Sequence, residues 1–218
     1  MQPYISFATI PKQFAWSEEI ISESKSGPIT ALIVEGEFQR AETPNRNNRV
    51  YSKQLLDRET KRLQKFIEER NGLPLGMDHP LPDDSETGMA IIQRLGMENT
   101  CAIATQLDMH DNVVYGKARV LEGDHGTGDK LAALIRAGFK PGISSRGMGG
   151  KPAYTPEGYV MVPEDYTMIC YDFVSQPSTM NAILQKQINE EVQLMESIKH
   201  DSQKKVWDVL INLSDKYK

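Results

Sequence analysis

The stretch GISSRG, Gly142–Gly147, sets two adjacent serines and an arginine between glycines, directly after an apolar helical pattern and Pro141. A serine hydroxyl is a weak nucleophile until a base within hydrogen-bond reach takes its proton. A reactive reading of this stretch therefore requires a partner elsewhere in the chain. Four histidines are available. His200 falls in a charged C-terminal run and His110 at the tip of an expected hairpin, both surface positions. His125, in EGDHGTGD, precedes a helix that Thr127 or Asp129 would cap, which suits a loop-structuring role. His79, in LPLGMDHPLP, follows a short apolar run and is biased to extended backbone by Pro80.

Two readings of GISSRG stand side by side. In one it is a glycine-flanked turn whose Ser144 or Ser145 bonds local backbone. In the other, glycines allow close approach of a polypeptide, and successive backbone N–H groups form an oxyanion hole. Arg146 would then add positive potential. An imidazole base needs a third group to orient it and stabilise its cation. Asp172 lies in the apolar run DYTMICYDFVSQPS, where a carboxylate is costly unless paired. Exposure at a strand edge is the alternative, and Glu164, Asp165 and Asp78 are weaker candidates for the same role. A metal hydrolase using Asp78, His79, Asp124 and His125 is also conceivable as a ligand vocabulary. Sequence spacing does not favour it, because adjacent residues of a strand point opposite ways.

The elements that must position these residues follow from periodicity. ITALIVEGEFQ (Ile29–Gln39) is β-rich and reads as a strand. QLLDRETKRLQKFIEER carries Leu55, Leu56, Leu63 and Phe66 on one helical face. AIIQRLGME, TCAIATQLDMH and NVVYGKARVLE read as three strands, the last two a hairpin across HDN. A helix follows in GDKLAALIRAGFKPG, ended by Gly138 and stopped by Pro141, and further strands in YVMVP and DYTMICYDFVSQP. From Asn181 the chain lacks Gly and Pro and spaces its apolar residues helically. These readings divide the chain into an N-terminal arm (1–28), a main domain (29–182) and a helical C-terminal segment (183–218). The fold class is α+β and β-rich.

Composition narrows the function classes. A formal net charge of −5 argues against sequence-independent nucleic-acid binding, which needs clustered Lys and Arg. Cys101 and Cys170 lie far apart in apolar runs and suit buried free thiols of a reducing compartment. No apolar run approaches the ~20 residues of a membrane span. The N-terminus lacks the layout of a signal peptide, which suits a cytosolic protein.

As a set, EGEF, NRNNRVYSKQLL, GMDHP, VVYGKARVLEGDHGTGDKLAALIRAGFKPGISSRGMGG and YDFVSQPS resemble, in order and spacing, the prohead core proteases of T4-like tailed phages. The resemblance runs from about Ile29 to Ala182. It implies a fold similar to the herpesvirus assemblin proteases, a β-barrel surrounded by helices, here with a helical C-terminal tail. It implies a serine endopeptidase without cofactor or metal, with Ser144 as nucleophile and His79 as general base. Ser145 would support the turn, Arg146 and Gly147 would belong to the oxyanion region, and His125 would be structural. The third member is the least determined by the resemblance, because the comparable register falls near Cys170. Asp172, two residues on and on the same face, is assigned the orienting role.

The family cleaves scaffold or core and capsid proteins, and itself, after Glu in (Leu/Ile)-x-Glu motifs during head maturation. Leu194–Met195–Glu196 and Ile188–Asn189–Glu190 fit that pattern, so Glu196 and Glu190 are autocleavage candidates that would release the C-terminal segment of a zymogen. The implied setting is the assembling prohead in the host cytoplasm, with self-association, no nucleic acid and no membrane span. A non-catalytic scaffold or capsid-assembly protein, with the helical tail as its working part, is the main rival reading.

Overall fold

In the computed structural model the described residues are 14–24, 27–80, 95–123 and 125–186. The described residues up to Gln185 belong to one compact unit. Asp124, His200, the cleavage candidates Glu190 and Glu196, and the C-terminal segment from 187 onward lie outside the described residues.

The elements in chain order are β1 (Ala15–Ser24), β2 (Gly27–Arg40), β3 (Arg49–Val50), α1 (Lys53–Arg70), β4 (Leu73–Met77), β5 (Thr100–His110) and β6 (Val113–Val120). They continue with α2 (Thr127–Arg136), β7 (Gly142–Met148), β8 (Ala153–Tyr154), β9 (Val160–Met161), β10 (Thr167–Val174) and β11 (Gln185–Lys186). The fold is strand-rich, as expected. One sheet of eight strands has the order β11-β1-β2-β6-β5-β4-β10-β7, and a small sheet has the order β3-β9-β8. β4 and β10 run parallel, and the β2/β6, β6/β5, β5/β4 and β10/β7 neighbours are antiparallel.

The large sheet is curled into a half-barrel, because residues far apart in strand order meet across its concave face. The Tyr171 hydroxyl on β10 donates to Gln39 Oε1 on β2 at 3.1 Å. The Phe38 ring lies edge-to-face on both Phe14 and Tyr171, with centroids 5.6 and 5.2 Å apart. Phe38 folds over Gly116, where an added Cβ would sit 2.4 Å from its ring. β5 and β6 form the expected hairpin, with Asp111 at φ 53° in the two-residue connection.

Several local readings need correction. β1 lies within the stretch read as an arm and pairs along β2. The buried face of α1 is Leu55, Leu56, Glu59, Thr60, Leu63 and Ile67; Phe66 is partly buried and packs against the core, and Ile67 joins the face beside it. Of the expected strand Ala90–Glu98, the described part, Leu95–Glu98, is not strand, and β5 opens two residues later. Ile183–Gln185, expected to begin a helix, run extended. Gly142 bridges Ile183, and Leu184 N–H donates to the Pro141 carbonyl at 2.8 Å. Leu184 is buried there, and tertiary pairing overrides its helical spacing.

α1 fixes the approach to β10. Its N-terminus is capped by Ser52 Oγ, which accepts from Leu55 N–H at 3.0 Å. On its buried face Glu59 accepts from Met168 N–H at 2.9 Å and pairs with Arg58 and Arg62. Arg58 donates to the Glu164 and Tyr166 carbonyls, each at 2.7 Å, and Arg62 donates to the Met168 carbonyl. Burial pushes the Glu59 carboxyl up, and the Met168 N–H with the two guanidinium groups outweighs it, holding the carboxyl below its usual range. Glu59→Ala should therefore lower unfolding free energy by about 1–3 kcal/mol, the cost of an unpaired buried backbone donor, read as the urea midpoint. Glu59→Gln, which keeps an acceptor for Met168, should recover part of that loss. Equal midpoints for wild type and Glu59→Ala would refute the clamp.

Candidate active site

Three neighbouring strands bring the sequence-selected residues together by register alone. Asp172 on β10 stands opposite Gly76 on parallel β4 and opposite Ser144 on antiparallel β7. Just beyond β4 the chain turns at Asp78, which has φ 63° and donates its N–H to the Phe173 carbonyl at 2.8 Å. His79 follows and directs Nδ1 at Asp172 Oδ2, 2.7 Å away.

Asp172 is fully buried. Its Oδ1 accepts from Gly76 N–H at 3.1 Å, and its Oδ2 accepts from Arg146 Nε at 2.8 Å. Arg146 Nη2 reaches Oδ1 at 3.3 Å and Cys170 Sγ at 2.9 Å. Burial alone would raise the Asp172 carboxyl. The hydrogen bonds from His79 and Arg146, with the charge of Arg146, outweigh burial and hold it below the ordinary carboxylate range. The Cys170 thiol is pushed up by burial and by the adjacent carboxylate, so it stays protonated. Gly76 is required for this packing, since a Cβ there would lie 2.7 Å from Asp172 Oδ1.

GISSRG is a strand and not a turn, and Ser144 projects from the middle of β7. Ser144 is almost buried, at 7% exposure, and its Oγ lies 3.2 Å from Ser178 Oγ. β7 is the last strand in the sheet order, so one of its edges faces away from β10. Ile143 N–H on that edge donates to the Ala182 carbonyl at 3.0 Å. Strand alternation then directs the Ser145 and Gly147 N–H groups to the same side, and the Ser144 and Arg146 N–H groups toward β10. Gly147 is overlaid by Tyr166, since a Cβ at Gly147 would meet the Tyr166 hydroxyl at 2.4 Å.

Ser144, His79, Ser178 and Gly147 line one cleft of about 340 Å³, whose far wall is formed by Asn45–Tyr51 and Tyr166. Ser144 and His79 thus line the same cleft, and Asp172 is bonded to His79. Arg146 also lines the cleft, and its guanidinium is bonded to Asp172. Glu164 and Asp165 stand apart from His79: Glu164 accepts from Ser52 Oγ and Asp165 from Gly150 N–H. His125 is exposed, and its Nδ1 lies 3.9 Å from Asp129 Oδ2. Among the described residues no group of three or more His, Cys, Asp and Glu is arranged to hold a metal.

Sequence reasoning missed Ser178, Tyr166 and the Asn45–Arg49 turn as parts of the cleft. Ser178 and the turn lie within the quoted motifs YDFVSQPS and NRNNRVYS, so the signal was present without a role attached.

The chain matches the family described as prohead core protein serine protease over residues 18–193. It is 40% identical over 164 residues to the prohead core protein protease of Enterobacteria phage T4, covering 73% of this chain and 71% of that protein. It also resembles the solved structure of the bacteriophage T4 capsid assembly protease, with TM-score 0.55 and 35% identity, covering 74% of this chain and 95% of that one.

The depressed carboxyl of Asp172 carries a pH consequence. The unfolded chain binds its proton at the ordinary value of about 3.9, and the folded chain binds it only at lower pH. The stabilisation is therefore complete above about pH 4 and is lost as pH falls through the folded value. Glu59 contributes with the same sign. Asp172→Asn should lower stability at pH 7 by leaving Arg146 buried without its counter-charge, and should narrow the gap from wild type as pH falls toward 3. Urea midpoints between pH 7 and pH 3 measure this, and a constant gap across that range would contradict it.

Proposed function

Because the chain belongs to the family of prohead core protein serine proteases, we propose that it is a phage prohead endopeptidase that cleaves scaffold or core and capsid proteins, and itself, after Glu in (Leu/Ile)-x-Glu motifs. The observation that carries the serine mechanism is the 2.7 Å contact between His79 Nδ1 and buried Asp172, with His79 and Ser144 lining one cleft.

In this reading Asp172 holds His79 with Nδ1 protonated, leaving Nε2 as the basic nitrogen. His79 takes the Ser144 hydroxyl proton as Oγ attacks the peptide carbonyl. The resulting oxyanion is received by outward backbone N–H groups of β7, with Gly147 the donor in the expected region. His79 then protonates the leaving amine as the C–N bond breaks, and water, deprotonated by His79, hydrolyses the acyl-enzyme. Arg146 acts from below, neutralising Asp172 so that the carboxylate stays ionised in a dry site.

The natural setting in this reading is the assembling prohead within the host cytoplasm, where self-association with the core restricts cleavage to the right time. Cleavage after Glu196 or Glu190 would free the C-terminal segment and convert a zymogen.

Ser144→Ala should reduce peptide-bond cleavage by at least about 1000-fold while leaving the fold intact. Asp172→Asn should reduce it by about 100- to 10,000-fold through loss of imidazole orientation. Intact mass after incubation reads the same question on the chain itself. Wild type should shorten to end at Glu196 or Glu190, and Ser144→Ala should stay full length. Cleavage that persists in Ser144→Ala would remove the serine mechanism, and its loss with a chelator would favour a metal one.

A further inference from the structure

The NRNNR segment, Asn45–Arg49, forms one wall of the cleft. Its backbone is fixed from within: Asn45 Oδ1 accepts from Asn47 N–H at 2.9 Å and from Arg49 N–H at 3.0 Å, and Asn48 turns with φ 56°. It is also fixed from outside, because Val160 N–H donates to the Asn48 carbonyl at 2.8 Å and β3 pairs with β9. The two arginines of the segment then divide. Arg46 N–H and Nη1 hold the carbonyls of Ser178 and Pro177, so Arg46 places the Ser178 hydroxyl beside Ser144. Arg49 is exposed, lines the cleft, and has no carboxylate partner among the described residues.

The charge balance of the cleft is one-sided. Among the described residues no Asp or Glu lines it, although acidic residues outnumber basic ones in the chain as a whole, 30 to 25. Asp172 lies beneath the cleft and is balanced by Arg146. Of the two arginines that line the cleft among the described residues, Arg146 is paired with Asp172, and Arg49 is left facing the cleft. Its charge is felt at Tyr166: burial and Tyr51 push that phenol up, and Arg49 pulls it back. Arg49 therefore stands within electrostatic reach of the ring that overlies Gly147, next to the proposed oxyanion donor.

We propose that Arg49 is the specificity-determining residue of the cleft, pairing with the carboxylate of the substrate glutamate immediately before the scissile bond. The inference rests on the proposed cleavage after Glu and names the group that would read it. A guanidinium matches a carboxylate with two parallel hydrogen bonds, and the Asn45 turn holds the strand that carries it, limiting the entropy lost on binding.

The test uses full-length protein and matched peptides with Glu, Gln or Lys before the scissile bond. Wild type should favour Glu over Gln by about 10- to 100-fold in kcat/KM, a preference that shrinks with added salt. Arg49→Gln should bring the Glu peptide down to the level of the Gln peptide. Arg49→Lys should restore part of the preference, and Arg49→Glu should turn it toward the Lys peptide. The same peptides titrated onto Ser144→Ala protein should show the Glu preference in Kd, which reads recognition without turnover. A Glu preference that survives Arg49→Gln, or parallel losses for Glu and Gln peptides, would overturn the assignment and leave cleavage after Glu standing. No Glu preference in wild type, in either assay, would overturn the glutamate reading itself.

Discussion

An ionised carboxylate with no solvent exposure is the constraint around which this fold is arranged. Removing Asp172 from water costs several kcal/mol even after relaxation, and no single partner offsets that. Two strands and a turn supply the compensation together: a backbone N–H from β4, a guanidinium from β7, and an imidazole from the turn after β4. Each donor arrives only if β10 lies between β4 and β7 in this register. Gly76 is small because the carboxylate occupies the space a side chain would need. The parallel β4/β10 pairing breaks the antiparallel run of neighbours on either side, and it is what lets the residue after a strand end reach a carboxylate in the middle of the next.

The same chemistry recurs at Glu59 to solve a different problem. The segment before β10 carries Tyr166, which covers Gly147, and it would otherwise be a loop with unpaired backbone groups. Glu59, Arg58 and Arg62 accept from or donate to that backbone from Glu164 to Met168. One carboxylate thus fixes where β10 begins, and the other fixes what its middle does. Both are held ionised because the compensating hydrogen bonds outweigh burial.

Much of this was legible in the chain. An aspartate between Tyr171 and Phe173 in an apolar strand demanded a partner, and the partner is there. β2, α1, and the β5/β6 hairpin followed from period and turn chemistry. Other features were hidden for physical reasons. Gly142 and Gly147 resemble turn punctuation, yet both are small because neighbours crowd them: Pro177 against Gly142 and Tyr166 against Gly147. Local composition does not distinguish a glycine that bends the chain from one that admits a neighbour. The bond from the Arg146 guanidinium to Asp172 was hidden as well, because it joins residues of two strands that only the β7/β10 register brings side by side. Ile183 and Leu184 carry helical spacing that a β-bridge to Gly142 overrides.

Placing Ser144 on β7, the last strand of the sheet, exposes a general hazard of sheets, since an unpaired edge is a template for unwanted strand addition. The chain covers the edge unevenly. Ala182–Leu184 pairs with Pro141–Ile143 and satisfies the first outward groups. Among the described residues that cover stops beyond Ser144, and Ser145 and Gly147 line a cleft walled by Asn45–Tyr51 instead of a strand. The uncovered length is short and enclosed, so it is a poor template for a second sheet, yet its donors remain available to a polypeptide entering the cleft. The features that make β7 safe as an edge are therefore the ones that make it usable as a site.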